Sequence, residues 1–174
     1  MEATDKTIST VKRCRAILCG VTPLKNDCGT LCGGACCAGD DRTGMGLFPG
    51  EYELLKGCGE FSFFDSEGNF GYKTAVCGGR CDRENRPLAC MIFPYFPITD
   101  PVDMRADLRA AAICPLLASR EPQDRFISAM LRVAELMSGD EALRDYAINV
   151  NREIDELYEF FLRLQETGDR SGDR

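Results

Sequence analysis

The sequence contains no histidine, and this absence excludes several kinds of site. Cys/His zinc fingers, histidine-ligated iron, Rieske centres and Ser/His or Cys/His catalytic pairs all need an imidazole. A thioredoxin-type C-x-x-C pair is also missing, which argues against a dithiol oxidoreductase. Any metal that this chain binds must therefore be held by thiolates.

Basic residues are outnumbered, and long apolar runs are missing. The formal net charge is −7, so the basic footprint of a nucleic-acid-binding protein is absent and binding to an anionic membrane surface is disfavoured. The start of the chain is acidic where a signal peptide is basic, and no apolar stretch approaches the roughly 18 residues of a membrane span. We predict a cytosolic protein that binds neither nucleic acid nor membrane.

The usual catalytic signatures are missing too. The chain has no glycine-rich phosphate loop and no dinucleotide fingerprint, and its C-x3-C-x3-C-C spacing departs from the C-x3-C-x2-C of radical S-adenosylmethionine enzymes. Acidic residues near the cysteines do not form a recognisable acid–base pair: Asp82, Glu84, Asp100 and Asp103. The sequence therefore identifies no catalytic residue and leaves open whether the protein is an enzyme.

What the chain does contain is cysteine and glycine. It has 11 cysteines in 174 residues, and 14 of its 17 glycines lie between Gly20 and Gly79. Such a density in a reducing compartment is typical of metal-binding or redox proteins. Glycines beside the cysteines let the backbone wrap tightly and aim N–H groups at sulfur, which favours an iron–sulfur cluster over zinc.

The cysteines are spaced as two sets. The first is Cys28-x3-Cys32-x3-Cys36-Cys37, and the second is Cys77-x3-Cys81-x8-Cys90, with Cys114-Pro115 further on. Adjacent cysteines are poorly placed to form a disulfide with each other. Cys36 and Cys37 can instead serve two different metal centres, or one centre and its surroundings.

The double-cysteine loop is followed by a C…RP..C..FP pattern at Cys81, Arg86-Pro87, Cys90 and Phe93-Pro94. This combination, from Thr22 to Leu117, is similar to the CxxCxxCC family of zinc- or iron-chelating proteins. The spacing differs, with three residues between cysteines instead of two, and Met91 stands where an arginine is common. The resemblance implies that a 4Fe–4S cluster or zinc is bound by Cys28, Cys32, Cys36, Cys37, Cys77, Cys81, Cys90 and Cys114.

Eight thiols could form two four-cysteine sites, or one site with spare thiols. The resemblance implies one or two iron–sulfur clusters that serve electron transfer, redox sensing or support of a modification reaction, together with a protein or redox partner. The alternatives are a structural zinc protein that presents a binding surface, and a lysine N-methylase-like enzyme, because a flagellin lysine N-methylase carries a related motif. Cys14, Cys19 and Cys58 lie outside the pattern, and we expect them to be buried free thiols.

The predicted fold class is α+β, with an irregular cysteine- and glycine-rich lobe (1–118) packed against a C-terminal antiparallel helical pair (119–168) and followed by a flexible tail (169–174). Alternation over Val102–Leu108 predicts a strand with one buried face. Pro122 suits a first helical position. Further local predictions are short helices near Ile8–Leu18 and Gly50–Lys56, a glycine-rich loop over Cys28–Gly46, and a hairpin of EFSFFD and FGYKTAV that turns at Gly68 and Asn69.

Three side-chain predictions complete the sequence analysis. The last helix carries a stripe that would form a helix–helix core or the face of a homodimer: Leu143, Tyr146, Ala147, Val150, Ile154, Leu157, Tyr158, Phe161 and Leu162. Phe93, Tyr95 and Phe96 are expected in the core. Arg86 either lies beside the cysteines or pairs with Asp82 or Glu84.

Overall fold

Helices and short antiparallel strands together build the fold, which confirms the α+β class. The computed structural model describes residues 3–38, 44–65, 72–110 and 112–169. The elements in chain order are α1 (Asp5–Leu18), α2 (Cys28–Cys32), β1 (Met45–Gly46), α3 (Glu51–Leu55), β2 (Phe61–Asp65), β3 (Lys73–Cys77), α4 (Leu88–Ile92), β4 (Tyr95–Thr99), β5 (Val102–Ala106), α5 (Asp124–Ser138) and α6 (Glu141–Asp169). Two 3₁₀ turns cover Ala35–Cys37 and Leu108–Ala110.

Helix α1 begins at an N-cap. The Thr4 side chain accepts a hydrogen bond from the Thr7 backbone N–H at 3.2 Å, which satisfies one of the free donors of the first turn. Val11, Cys14 and Leu18 follow at helical spacing and are fully buried in the main core. The predicted N-terminal helix is confirmed.

The main core lies where α1, α4, β4 and the two C-terminal helices meet. Its largest fully buried side chains include Leu88, Phe126, Met130 and Leu143. Helices α5 and α6 are joined through Gly139 and Asp140, and the Asp140 carboxylate accepts from the Leu143 N–H and the Thr7 hydroxyl, each at 3.2 Å. The predicted C-terminal helices are confirmed, and they pack on each other, on α1 and on the β4–β5 hairpin.

Two small antiparallel sheets complete the fold. β3 is the central strand of a β1–β3–β2 sheet, and its register with β2 pairs Phe61 with Cys77 and Asp65 with Lys73. This confirms the predicted hairpin, whose turn at Gly68 and Asn69 lies outside the described residues. The short helix predicted near Gly50–Lys56 is confirmed as α3.

β5 forms where predicted, but the prediction of one buried face is wrong. Val102 and Ala106 are exposed, and Met104 alone of the strand packs against the main core. Both C-terminal helices pack on β4, whereas β5 contacts mainly α5. Buried positions fall instead on β4, which carries Phe96 and Thr99.

The start of α5 and the conformation of residues 28–37 also differ from prediction. Helix α5 begins at Asp124, so Pro122 is not its first helical residue. Gln123 holds an extended backbone because its N–H donates to the Pro23 carbonyl at 2.8 Å and its amide donates to the carbonyls of Thr22 and Leu24. The stretch 28–37, expected as a glycine-rich loop, contains the two helical turns α2 and Ala35–Cys37.

Within the described ranges, no helix is both long enough and apolar enough to cross a membrane.

Candidate metal centre

The segment Cys28–Cys37 consists of two helical turns separated by a glycine pair. Gly33 and Gly34 have φ values of 66° and 71°, a conformation that glycine adopts without strain. The Asp27 side chain caps α2 by accepting from the Gly29 N–H at 3.1 Å, and it also pairs with Arg83 at 2.7 Å. Neither turn contains a buried residue, so apolar packing does not hold this segment in place.

Four cysteines line one narrow cavity, and we call them the outer group: Cys28, Cys32, Cys36 and Cys114. Phe93, Pro94 and Tyr95 also line this cavity. The free space is about 30 Å³, roughly the volume of one water molecule in the liquid. Burial raises the pKa of Cys28, and the charges of Asp27, Cys32 and Cys114 raise it further.

The remaining four cysteines of the predicted set are electrostatic neighbours, and we call them the inner group: Cys37, Cys77, Cys81 and Cys90. The loop between Cys77 and Cys81 passes so close to Cys37 that a Cβ on Gly79 would lie 3.3 Å from the Cys37 carbonyl oxygen. Gly79 has a φ of 83°, so glycine is favoured here for both reasons. Burial raises the pKa values of Cys81 and Cys90, and Cys37 raises both further.

Cys36 and Cys37 lie where the two groups meet. Their Sγ atoms are 3.9 Å apart, but their other neighbours differ. Although the Cys36 side chain is exposed, partial desolvation of its sulfur, followed by the charges of Cys37, Cys28 and Cys32, raises its pKa to about 12. The charge of Cys37 also raises the pKa values of Cys81 and Cys90, which belong to the inner group. Metal ligation requires a thiol to lose its proton, so the raised pKa of Cys36 opposes ligation until a metal binds.

Arg86 lies beside the inner group. Its guanidinium donates a hydrogen bond to the Cys81 sulfur and is attracted to Cys37 and Cys90, and these interactions outweigh burial and raise the pKa of Arg86. Among the described residues it forms no ion pair with Asp82 or Glu84, so that predicted alternative is wrong. Asp82 and Glu84 make backbone hydrogen bonds to other residues: the Asp82 N–H donates to the Glu60 carboxylate, and the Glu84 carbonyl accepts from Arg15.

Glu51 is a site-positioning residue that sequence reasoning missed. Its fully buried carboxylate accepts from the Leu88 N–H at 2.5 Å and from the Phe48 N–H at 3.1 Å, and it thereby fixes the start of α4, which carries Cys90. Burial raises the pKa of Glu51 to about 7, against the opposing effects of the two N–H donors and Arg15. A glutamate at the start of a short helix gives no sequence signal for burial.

The cysteines outside the predicted set behave differently from one another. Cys14 is fully buried in the main core, as predicted. Cys19 and Cys58 are only partly buried, so the prediction is wrong for them. Cys19 follows the last residue of α1, and Cys58 lies in the turn after α3, where its N–H donates to the Leu55 carbonyl at 3.0 Å.

The aromatic segment after Cys90 divides between core and cavity. Phe96 is buried in the main core and stacks on Phe48 with a centroid separation of 5.9 Å, as predicted. Phe93 and Tyr95 are partly exposed and line the cavity of the outer group. Tyr95 still packs against the main core, as predicted, whereas the core prediction is wrong for Phe93. The Tyr95 ring also packs on Phe126 at 5.7 Å, which connects the cavity to α5.

The cysteines are chemically suited to bind a metal as thiolates, but their sulfur atoms do not surround one common position. Across the described part of the chain, no three side chains of the metal-ligating types meet closely enough to hold a single ion. Where metal binding is coupled to folding, the ligands come together as the metal binds. Four thiols in each group, with a cation beside one of them, suit a thiolate-ligated metal.

Family models, curated proteins and solved structures gave no match to this chain. The function proposed below therefore rests on the cysteines and their surroundings in this structure.

Proposed function

We propose that the protein binds metal through eight cysteines in two groups of four, with iron–sulfur clusters as the favoured occupants. The observation that supports this most is the segment Cys28–Cys37, which contains no buried residue in either helical turn. Ordering a segment costs conformational entropy that apolar burial does not offset here. Metal–thiolate bonds with Cys77, Cys81, Cys90 and Cys114 would supply the missing free energy.

Two observations bear on the kind of metal. Around one zinc ion, tetrahedral Zn–S bonds of about 2.3 Å bring the sulfurs to about 4 Å from one another. The Cys36 and Cys37 sulfurs are 3.9 Å apart, but no three metal-ligating side chains of the described residues come together, and a cluster suits more widely spaced sulfurs because its thiolates bind different irons. The small volume of the cavity, about 30 Å³, favours a single ion, so a structural zinc protein is the second candidate.

The surroundings of the two groups suggest a redox role. An iron–sulfur cluster supplies one-electron transfer at a potential set by nearby charge, hydrogen bonds and solvent exposure. The inner group has Arg86 against Cys81, whereas the outer group includes the exposed Cys36. We propose that the outer group is accessible to a redox partner protein, and that the protein works in the cytosol, where thiols stay reduced.

Anaerobic purification followed by a visible spectrum and by iron, sulfide and zinc analysis tests this proposal. A brown protein that contains iron and sulfide is the expected result. A colourless protein with stoichiometric zinc and no iron would replace the cluster proposal with the zinc candidate. A protein that retains neither metal under reducing conditions and cannot be loaded with either would contradict both.

A further inference from the structure

The apolar stripe of α6 continues beyond the core of the molecule. Leu143, Ala147, Val150, Ile154, Leu157 and Phe161 follow one another at spacings of four and three residues, as along a coiled-coil seam. The exposed fractions of Leu143, Ala147, Val150 and Ile154 are 0%, 0%, 1% and 0%. Phe161 is 49% exposed, although it lies on the same stripe. The seam therefore leaves the core after Ile154.

Neighbouring side chains widen the exposed part of this stripe. Tyr158, Phe160 and Leu162 are 49%, 53% and 42% exposed. At about 100° per residue, the arc from Phe160 through Phe161 to Leu162 covers about 200° of the helix surface. We call Leu157, Tyr158, Phe160, Phe161 and Leu162 the α6 face. Such a concentration of large exposed apolar side chains marks an interaction site more often than a solvated surface.

Helix α6 still contacts the β4–β5 hairpin at Asp155, which pairs with Arg105 at 2.5 Å. From Glu156 to Gln165 every side chain is exposed except Leu157, which is partly buried. A helical segment of this length is marginally stable in water by itself, and most helical stability comes from packing of an apolar face. The length and composition of the segment therefore call for a covering partner.

We propose that a second copy of this chain covers the α6 face, with the two helices packed side by side about a two-fold axis. The charge pattern favours an identical partner. Each copy carries a net charge of −7, yet the α6 face contains no ionisable side chain other than the Tyr158 phenol. Glu156 and Glu159 point about 140° to 160° away from Phe161, so two faces can meet without juxtaposing like charges. The opposite side of the helix, with Glu156 and Glu159 against Arg163, has a net negative charge, which disfavours an anionic lipid surface.

The available area is sufficient for a dimer. A Phe, Tyr or Leu side chain at half exposure offers about 100 Å² of surface, so the α6 face contributes about 400 Å² per copy. Because roughly 60% of an interface is apolar, the whole contact would bury about 1,300 Å² in total. That value lies within the range of specific protein interfaces, at its lower end, so we expect a reversible dimer with concentration-dependent mass.

Sedimentation equilibrium of the anaerobically purified 174-residue protein over a concentration series tests this proposal. The wild-type mass should approach twice 19.2 kDa as the concentration rises. Phe161→Glu should raise the dimer dissociation constant about 30-fold or more, the effect of losing a central contact residue. Phe161→Ala provides a milder second variant. Ile148→Glu is the matched control, because Ile148 is 48% exposed on α6 but lies off the stripe, and it should dimerise like the wild type.

A wild-type protein that stays monomeric at all concentrations would overturn the proposal, as would a dimer that both Phe161 variants leave unchanged. A monomer that floats with phosphatidylcholine vesicles and loses this binding in Phe161→Glu would assign the face to a membrane instead. The metal content of each variant should equal that of the wild type, so this test is independent of the proposed metal centre.

Discussion

The segment Cys28–Cys37 and helix α5 are held in place by different forces. α5 buries six apolar side chains: Phe126, Ala129, Met130, Val133, Ala134 and Met137. The cysteine segment buries none. The Asp27 cap, the Gly33–Gly34 pair and contacts among thiols determine its conformation. A large apolar side chain stabilises the folded state by about 1.5–3 kcal/mol when fully buried. The helical core can therefore fold by packing, whereas the cysteine segment depends on its ligands.

Truncation of the helical core gives the largest expected effect. Met130 is fully buried, so Met130→Ala should lower the free energy of unfolding by about 2–5 kcal/mol. The loss should be the same in metal-loaded and chelator-treated protein, as measured by urea denaturation followed by far-UV circular dichroism. Glu135→Ala, an exposed change on the same helix, should alter stability by less than about 0.5 kcal/mol. If Met130→Ala lowered the free energy of unfolding only in the metal-loaded protein, the helical core would not fold independently of the metal.

Glu51 joins α3 to the start of α4, which carries Cys90, and its burial predicts a pH dependence of stability. Its folded-state pKa of about 7 lies above the unfolded value of 4.5, so the folded protein binds more protons between these values. The free energy of unfolding should therefore fall as the pH rises from about 4.5 to about 7, by roughly 3 kcal/mol in all. Glu51→Gln should flatten this slope in denaturation experiments between pH 5 and pH 8.

The matched control for Glu51 is Glu53→Gln, which alters an exposed glutamate of the same short helix. It should retain the wild-type slope. If Glu51→Gln shows the same pH dependence as Glu53→Gln, ionisation of the buried carboxyl does not contribute to stability. The position of Cys90 would then not be linked to the charge of Glu51.

Arg86 gives a smaller effect, confined to the inner group. Arg86→Gln removes the donor to the Cys81 sulfur and should weaken metal binding at the inner group by about tenfold. In a chelator competition experiment, half of the bound metal should be released at a lower chelator concentration than in the wild type. Arg80→Gln makes the same charge change at an exposed position in the Cys77–Cys81 loop and should leave the affinity close to wild type. Equal shifts in both variants would mean that net charge, not contact with sulfur, determines the affinity.

Much of the helical core was predictable because its signals are local. The periodicity of α5 and α6, and the aromatic and β-branched segments on either side of the turn in the β2–β3 hairpin, depend on residues a few positions apart. The start of α4 depends on Glu51, which lies 37 residues from Leu88, and local patterns do not contain that information. The stripe of α6 was visible as well, but the point at which it leaves the core depends on the extent of β4, β5 and α5.

The candidate site divides in the same way. Residue types and spacing single out the cysteines, but which sulfurs neighbour each other depends on contacts between distant segments. Cys114 joins Cys28 across 86 positions, and the Gly79 loop meets Cys37. The turn α2 was missed because a glycine-rich stretch has low helix propensity, and its formation depends on the Asp27 cap.

The most direct test of the account compares Cys36→Ser with Cys37→Ser, each purified anaerobically and analysed for metal, sulfide and visible absorption. Cys36 belongs to the outer group and Cys37 to the inner group. Each variant should lose about half of the wild-type metal and part of the stability that metal binding confers, because ligation and folding are coupled. The spectra of the two remaining centres should differ. Two variants that lose the same metal, or that both keep full metal content and wild-type stability, would contradict a protein with two four-cysteine sites.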